Sequence, residues 1–125
     1  MSFLKITPNI DNLYQLNEFI HSIILKEDFQ VDLIVEEVFV NIVNYSHSDF
    51  IQVNVDYTDK TLKMEFIDNG IEFNPLLKED VNLPNNIDDA EVGGLGIHIT
   101  KELSDEISYE YVNGENHLKI IKIVE

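Results

Sequence analysis

Residues 51–70, IQVNVDYTDKTLKMEFIDNG, decide the fold. Ile51, Val53, Val55 and Tyr57 alternate with polar residues, and Leu62, Met64 and Phe66 repeat the pattern after Thr58-Asp59-Lys60. Period-two alternation on both sides of a short polar connection predicts a β-hairpin with one buried face. Asp68 keeps the phase of the apolar residues before it, which puts a carboxylate on a core-facing position. Such a group is expensive to bury unless a partner donates to it. Asn69 and Gly70 then supply a turn signal.

Upstream, residues 2–7 (SFLKIT) predict a short edge strand, which Pro8 and Asn9 end. Leu13, Leu16, Phe19, Ile20, Ile23 and Ile24 recur at helical spacing and predict a helix from Ile10 to about Lys26. A second helix is expected from about Gln30 to Tyr45. Its stripe of Val31, Ile34, Val35, Val38, Ile42 and Tyr45 suits the face of a sheet. Leu33, Val40 and Val43 lie off that stripe, so cover on more than one side is expected. Downstream, residues 72–92 are polar and acidic, contain Pro75 and Pro84, and read as loop. Gly93-Gly94-Leu95-Gly96 opens a helix expected to reach about Leu103. Strands near 106–112 and 117–124 flank Asn113-Gly114, a hairpin signal. The order β-α-α-β-β-loop-α-β-β predicts an α+β fold. Its expected form is a two-layer α/β sandwich with a mixed, mostly antiparallel sheet and helices on one face.

The 125 residues fit one domain, 1–125, large enough for a core of its own. The chain has no cysteine, which excludes disulfides and thiolate metal sites and suits a reducing compartment. No stretch resembles a signal peptide or a membrane span, so a cytoplasmic location is expected. A net charge of −16 argues against nucleic acid and against anionic membrane as partners. All eight basic residues are lysine and none is arginine. Any bound phosphate must therefore be met by backbone N–H groups, a divalent cation, lysine, or an arginine from a partner.

Three constellations carry chemistry. Glu37, Asn41 and Asn44 follow at spacings of four and three on the second helix, so they share one stripe. A carboxylate and two amides there suit a hydrated cation or an ordered water. Asp68-Asn69-Gly70 ends a strand with an acceptor aimed inward, for which an exocyclic amine of a base is one partner. Gly94-Leu95-Gly96-Ile97 opens a helix, where free N–H groups and the dipole favour an anion. Lys101, at helical spacing from Ile97, is either within reach of a phosphate or simply solvated. Alone, each constellation has a plainer reading: a polar helix flank, a turn, a loop meeting a helix.

In combination and in this order they resemble the GHKL ATPase superfamily. Glu37-Val-Phe-Val-Asn41 resembles its E-x-x-x-N helix, Asp68-Asn-Gly70-Ile-Glu-Phe73-Asn-Pro75 its D-x-G-x-x-F-x-P segment, and Gly94-Leu95-Gly96-Ile97 its G-x-G box. Residues 72–92 resemble its ATP lid. The resemblance spans about residues 8–124 and implies a Bergerat-type fold binding ATP and Mg²⁺. It implies that Asn41 holds Mg²⁺, Glu37 is the general base, Asp68 accepts from the adenine amine, and Gly70 lets the base sit close. Backbone N–H groups from Gly94 to Ile97 would cradle phosphates. Among members, the chain is most similar to the anti-sigma-factor serine kinases, which bind a sigma factor and phosphorylate a serine on an antagonist protein. A homodimer is compatible with that resemblance. The chain departs from it at Tyr45, where histidine is frequent, and at Asn116-His117-Leu118, where a threonine is frequent near the adenine. It also lacks arginine. The rival expectations are a nucleotide-dependent protein-binding module without kinase activity and a scaffold that binds no nucleotide.

Overall fold

The computed structural model describes residues 2–77 and 94–125. Five strands form one sheet in the order β1-β2-β3-β5-β4. They are β1 (Ser2–Ile6), β2 (Ile51–Thr58), β3 (Thr61–Asp68), β4 (Glu106–Val112) and β5 (Glu115–Ile123). The helices are α1 (Leu13–Ile24), α2 (Phe29–Tyr45) and α3 (Gly94–Leu103).

The hairpin of residues 51–70 forms as its alternation predicts. Val53, Val55, Leu62, Met64 and Phe66 are buried, and Leu118 and Ile120 of β5 continue the same face. The other face is polar: Asn54 donates to Glu65 at 3.2 Å, and His117 lies 3.2 Å from the same carboxylate. Asp59 and Lys60 both take positive φ in the β2–β3 turn, as Asn113 and Gly114 do in the β4–β5 turn. Left-handed pairs of this kind match the twist of the flanking strands.

Every strand pairing is antiparallel, where a mixed sheet is expected from the sequence. The strand order explains the difference. β5 sits between β3 and β4, so those two never pair, and the two helices between β1 and β2 return the chain in the opposite sense. The first helix also starts later than expected, because Ile10–Asn12 form a 3-10 turn ahead of α1.

α1 buries Leu16, Ile20 and Ile24, spaced four apart, and His21 meets Asp32 of α2 at 2.6 Å. α2 buries Val31, Ile34, Val35, Val38 and Ile42 of the expected stripe. Phe39 is fully enclosed as well, outside that stripe, because α2 also packs against α3. Tyr45 is half-buried and stacks on Phe73, with ring centroids 5.7 Å apart. Lys122 is buried on the helix side of the sheet and donates from Nζ to the Leu103 carbonyl at 2.8 Å, which holds the end of α3. Of the expected lid, 72–92, only 72–77 are described, with a 3-10 turn at Pro75–Leu77; the remainder lies outside the described residues.

Asp28 caps α2, its Oδ1 accepting from the Val31 N–H at 3.0 Å. Asp28→Ala is expected to lower unfolding free energy by about 1 kcal/mol, measured as a lower urea midpoint at unchanged slope. An unchanged midpoint would show that packing alone starts the helix.

Candidate functional site

A small pocket, with a cavity volume of about 20 Å³, opens between the C-terminal half of α2 and the ends of β3 and β5. Val38, Ile42, Phe66, Phe73, Pro75 and Leu118 make its apolar walls. Its polar groups are Asn41, Ser46, Asp68, Tyr109 and Asn116. An apolar slot with a few convergent polar groups is the usual form of a small-molecule site.

Asn41 sits three residues after Val38 and one before Ile42, so the helix turns it onto the sheet-facing side. It is 3% exposed, and its Oδ1 is enclosed without a hydrogen-bond partner among the described residues. An orphaned buried acceptor typically costs about 1–3 kcal/mol. An amide oxygen left open in this way is a fitting ligand for a hard cation such as Mg²⁺, which takes oxygen ligands and draws its others from phosphate and water.

Glu37 lies one turn earlier and is half-buried. Burial, and then the neighbouring Glu36 carboxylate, hold its carboxyl above the ordinary value of 4.5. A carboxylate with raised proton affinity is suited to accept a proton. Asn44 is exposed and does not line the pocket, although it was expected to share the stripe. At about 100° per residue, Asn41 lies about 40° from Glu37 toward Val38, while Asn44 lies about 20° the other way. Lys101 is half-buried, with Nζ 3.5 Å from the Leu76 carbonyl. Gly94, Leu95, Gly96 and Ile97 form the first turn of α3. Backbone N–H groups of a first turn have no partner within their helix and favour an anion.

Asp68 is 3% exposed at the end of β3. Its Oδ1 accepts from the Gly70 N–H at 2.9 Å and from Asn116 Nδ2 at 2.9 Å. The partner that the buried carboxylate demands is thus supplied by the protein on one oxygen. Gly70 has a packing reason of its own. A Cβ there would lie 2.0 Å from the Ser46 carbonyl oxygen, which accepts from the Ile71 N–H at 2.8 Å. The glycine lets the turn press against the backbone at the end of α2.

The structure therefore lines one pocket with Asn41 and Asp68, sets Gly70 against Asp68, and leaves Glu37 and Asn44 off the pocket lining. It adds Asn116 and Tyr109, which sequence reasoning did not assign to the site. A signal for Asn116 was available, since it keeps the phase of Leu118 and Ile120 and so faces the core.

The family model described as histidine kinase-like ATPase domain matches residues 13–122. The chain is 27% identical over 96 residues to the serine/threonine-protein kinase BtrW of Bordetella bronchiseptica, covering 74% of this chain and 68% of that protein. Its fold is similar to that of the Acinetobacter baumannii histidine kinase AdeS, at a TM-score of 0.57 and 9% identity, over 100% of this chain and 68% of that one. It is also similar to the histidine kinase domain of the Erythrobacter litoralis EL346 blue-light activated kinase, at a TM-score of 0.52 and 19% identity. There it covers 76% of this chain and spans 43% of the other.

Gly70→Ala is expected to destabilise the protein by at least about 1–3 kcal/mol, because the atom displaced is backbone and cannot swing aside. Chemical denaturation measures this. A midpoint equal to wild type would mean that the β3 turn and the end of α2 separate freely.

Proposed function

Because this chain belongs to the histidine kinase-like ATPase domain family, we propose that it binds Mg·ATP in the pocket between α2, β3 and β5 and phosphorylates a serine on an antagonist protein. In this reading it is an anti-sigma regulatory kinase that also binds a sigma factor. The observation that carries the nucleotide part is the buried, unpartnered Oδ1 of Asn41, in the same pocket as Asp68. The similarity to a serine/threonine-protein kinase supports the choice of a serine hydroxyl as acceptor.

In the mechanism, Asp68 accepts a hydrogen bond from the amino group of the base. Phe73, Pro75, Leu118 and Val38 exclude water around it. First-turn N–H groups of α3, from Gly94 to Ile97, receive phosphate oxygens, and Lys101 lies on the same helix. Asn41 Oδ1 is the protein's ligand for Mg²⁺, which when bound neutralises phosphate charge. Glu37 takes the proton of the attacking serine hydroxyl. A bond forms between serine Oγ and the γ-phosphorus, and the bond from that phosphorus to the β–γ bridging oxygen breaks. ADP leaves with the electron pair, and the proton stays on the Glu37 carboxylate. Phosphoryl transfer asks mainly for such positioning and charge stabilisation.

The absence of arginine from the 125 residues favours a second reading, a nucleotide-dependent binding module, since no arginine here can stabilise the transferred charge. Tight Mg·ATP binding without phosphotransfer to any serine-bearing partner would select it.

Asn41→Ala is expected to weaken Mg²⁺-dependent ATP binding by at least about tenfold, or ~1.4 kcal/mol, read by calorimetric titration. The urea midpoint, measured in parallel, separates loss of a ligand from loss of folding. Equal affinity in the variant would sink the cation role.

Glu37→Gln is expected to abolish phosphotransfer from radiolabelled ATP. In wild type the rate should rise with pH through a carboxylate ionisation above 4.5, a limb missing from the variant. Stability runs the other way. Glu37 holds its proton more tightly folded than unfolded, so its contribution is full at low pH and lost as pH rises through the folded value. The variant's Tm at neutral pH should therefore equal or exceed that of wild type. Full phosphotransfer by Glu37→Gln would remove Glu37 from the chemistry.

A further inference from the structure

β5 sends Leu118 and Ile120 to the helix side of the sheet, where both are buried. Position 122 has the same phase, and the residue there is lysine. It is 7% exposed, so its head is enclosed with its stem and does not reach out to water as a surface lysine does. Such a position ordinarily takes an apolar residue. The chain has 24 acidic residues, yet among the described residues no carboxylate pairs with Lys122. Its one hydrogen bond there runs from Nζ to the Leu103 carbonyl at 2.8 Å. Burying an ammonium without a counter-ion costs more than the negative pole of one helix returns. Stability alone therefore does not call for a lysine.

Leu103 ends α3, and its carbonyl is one of the four that a helix end leaves free. The segment beyond the helix has its own ties to β5. The Asp105 N–H donates to the Ile121 carbonyl at 2.8 Å, and Asp105 Oδ2 accepts from the Ile123 N–H at 2.7 Å. Those bonds hold the exit of the chain whatever stands at position 122. Lys122 grips the helix itself. α3 has ten residues, a length of about 15 Å. It packs on α2, and its Thr100 is completely enclosed. A tilt about Thr100 that moves the Leu103 end moves the first turn, residues 94–97, the opposite way. The charge itself acts weakly over that length, which exceeds the Debye length of about 8–10 Å. The influence of Lys122 on the first turn is mechanical.

We propose that Lys122 is a positioning residue of the nucleotide site: by gripping the last turn of α3 it sets the position of the first turn, and with it the affinity for the phosphates but not for the base. The inference rests on the nucleotide reading above and deepens it. In that reading the base meets the pocket at the ends of β3 and β5, which Lys122 does not line, and the phosphates meet α3. A change confined to the placement of α3 must separate the two. Loss of a merely structural lysine would weaken both alike, or neither.

Calorimetric titration of Mg·ATP, and of adenosine by displacement of Mg·ATP, into wild type and Lys122→Met tests this, beside a urea titration of each protein. Methionine keeps most of the stem and removes the charge and the donor. Lys122→Met should bind Mg·ATP about threefold to thirtyfold more weakly, and adenosine within about twofold of wild type. Its urea midpoint should equal or exceed that of wild type, because an uncompensated buried charge is gone. Phosphate binding that weakens while folding does not is the signature of a positioning role. If Lys122→Met does not fold by circular dichroism, Lys122→Leu, which continues the pattern of Leu118 and Ile120, takes its place. Failure of both to fold makes the lysine a residue of stability and overturns the proposal. Equal loss of Mg·ATP and adenosine, or no loss of either, also overturns it while the nucleotide site stands. A folded wild type that binds neither ligand overturns the nucleotide reading, and this inference with it.

Discussion

Burying a carboxylate at the end of β3 is the constraint on which the pocket depends. Asp68 is on the helix side of the sheet and 3% exposed. A charge there is tolerated only when donors converge on it. The chain supplies them from two distances in sequence. Gly70, two residues on, donates its backbone N–H, and Asn116, forty-eight residues on, donates its amide. Meeting that demand fixes much else. The turn must fold back tightly enough for Gly70 to reach Oδ1, and this brings it against the Ser46 carbonyl, where no Cβ fits. Asn116 must be held in turn, and the Ile71 carbonyl, the Phe73 N–H and the Tyr109 hydroxyl hold it. One buried charge therefore ties together β3, β4, β5 and the segment that follows β3.

The same segment connects the floor to α2. Phe73, pinned through its N–H to Asn116, stacks on Tyr45 at the end of that helix. The Ser46 carbonyl, just beyond it, accepts from Ile71. α2 is thus held at its C-terminal end by the turn that presents Asp68, and near its N-terminal end by Asp32, which meets His21 of α1 at 2.6 Å. The helix that carries Glu37 and Asn41 cannot slide along the sheet without breaking one or the other. At a reacting centre, placement errors of about 1 Å are costly. In the proposed mechanism this helix bears the base and the cation ligand, and fixing both its ends would hold them in place.

Most of the fold was legible because its signals are local. Period-two runs at Ile51–Tyr57 and Leu62–Phe66, the left-handed turn at Asn113-Gly114 and the stripe from Val31 to Ile42 each follow from short-range sterics and burial. The all-antiparallel sheet was not legible, because it depends on β5 lying between β3 and β4, and nothing local records which neighbour a strand takes. That Asn41 and Asp68 face inward was legible from spacing and phase, whereas Asn44 shows the limit of spacing. It lies on the same nominal stripe, yet a few tens of degrees of rotation leave it in solvent. The packing role of Gly70 was not legible, because the atom it makes room for, the Ser46 carbonyl, belongs to the end of α2. Asn116 carried a phase signal, but its four partners come from four different segments and no short window contains them.

The two ends of the pocket stand in opposite states of satisfaction, and that contrast says which end does what. At the floor every polar group but one oxygen is saturated, and a saturated network in a low-dielectric interior is rigid. Rigidity there fixes the placement of Asp68. On the face of α2 the opposite holds. Asn41 keeps an enclosed oxygen with no partner, and Glu37 is held above its ordinary proton affinity by burial and by Glu36. Both are uncomfortable in the protein alone and gain from what a ligand brings: a cation for the one, a proton for the other. A fold selected for stability alone would satisfy both ends. Satisfying the floor and leaving the helix face unsatisfied is the arrangement that the proposed nucleotide binding and phosphoryl transfer would require.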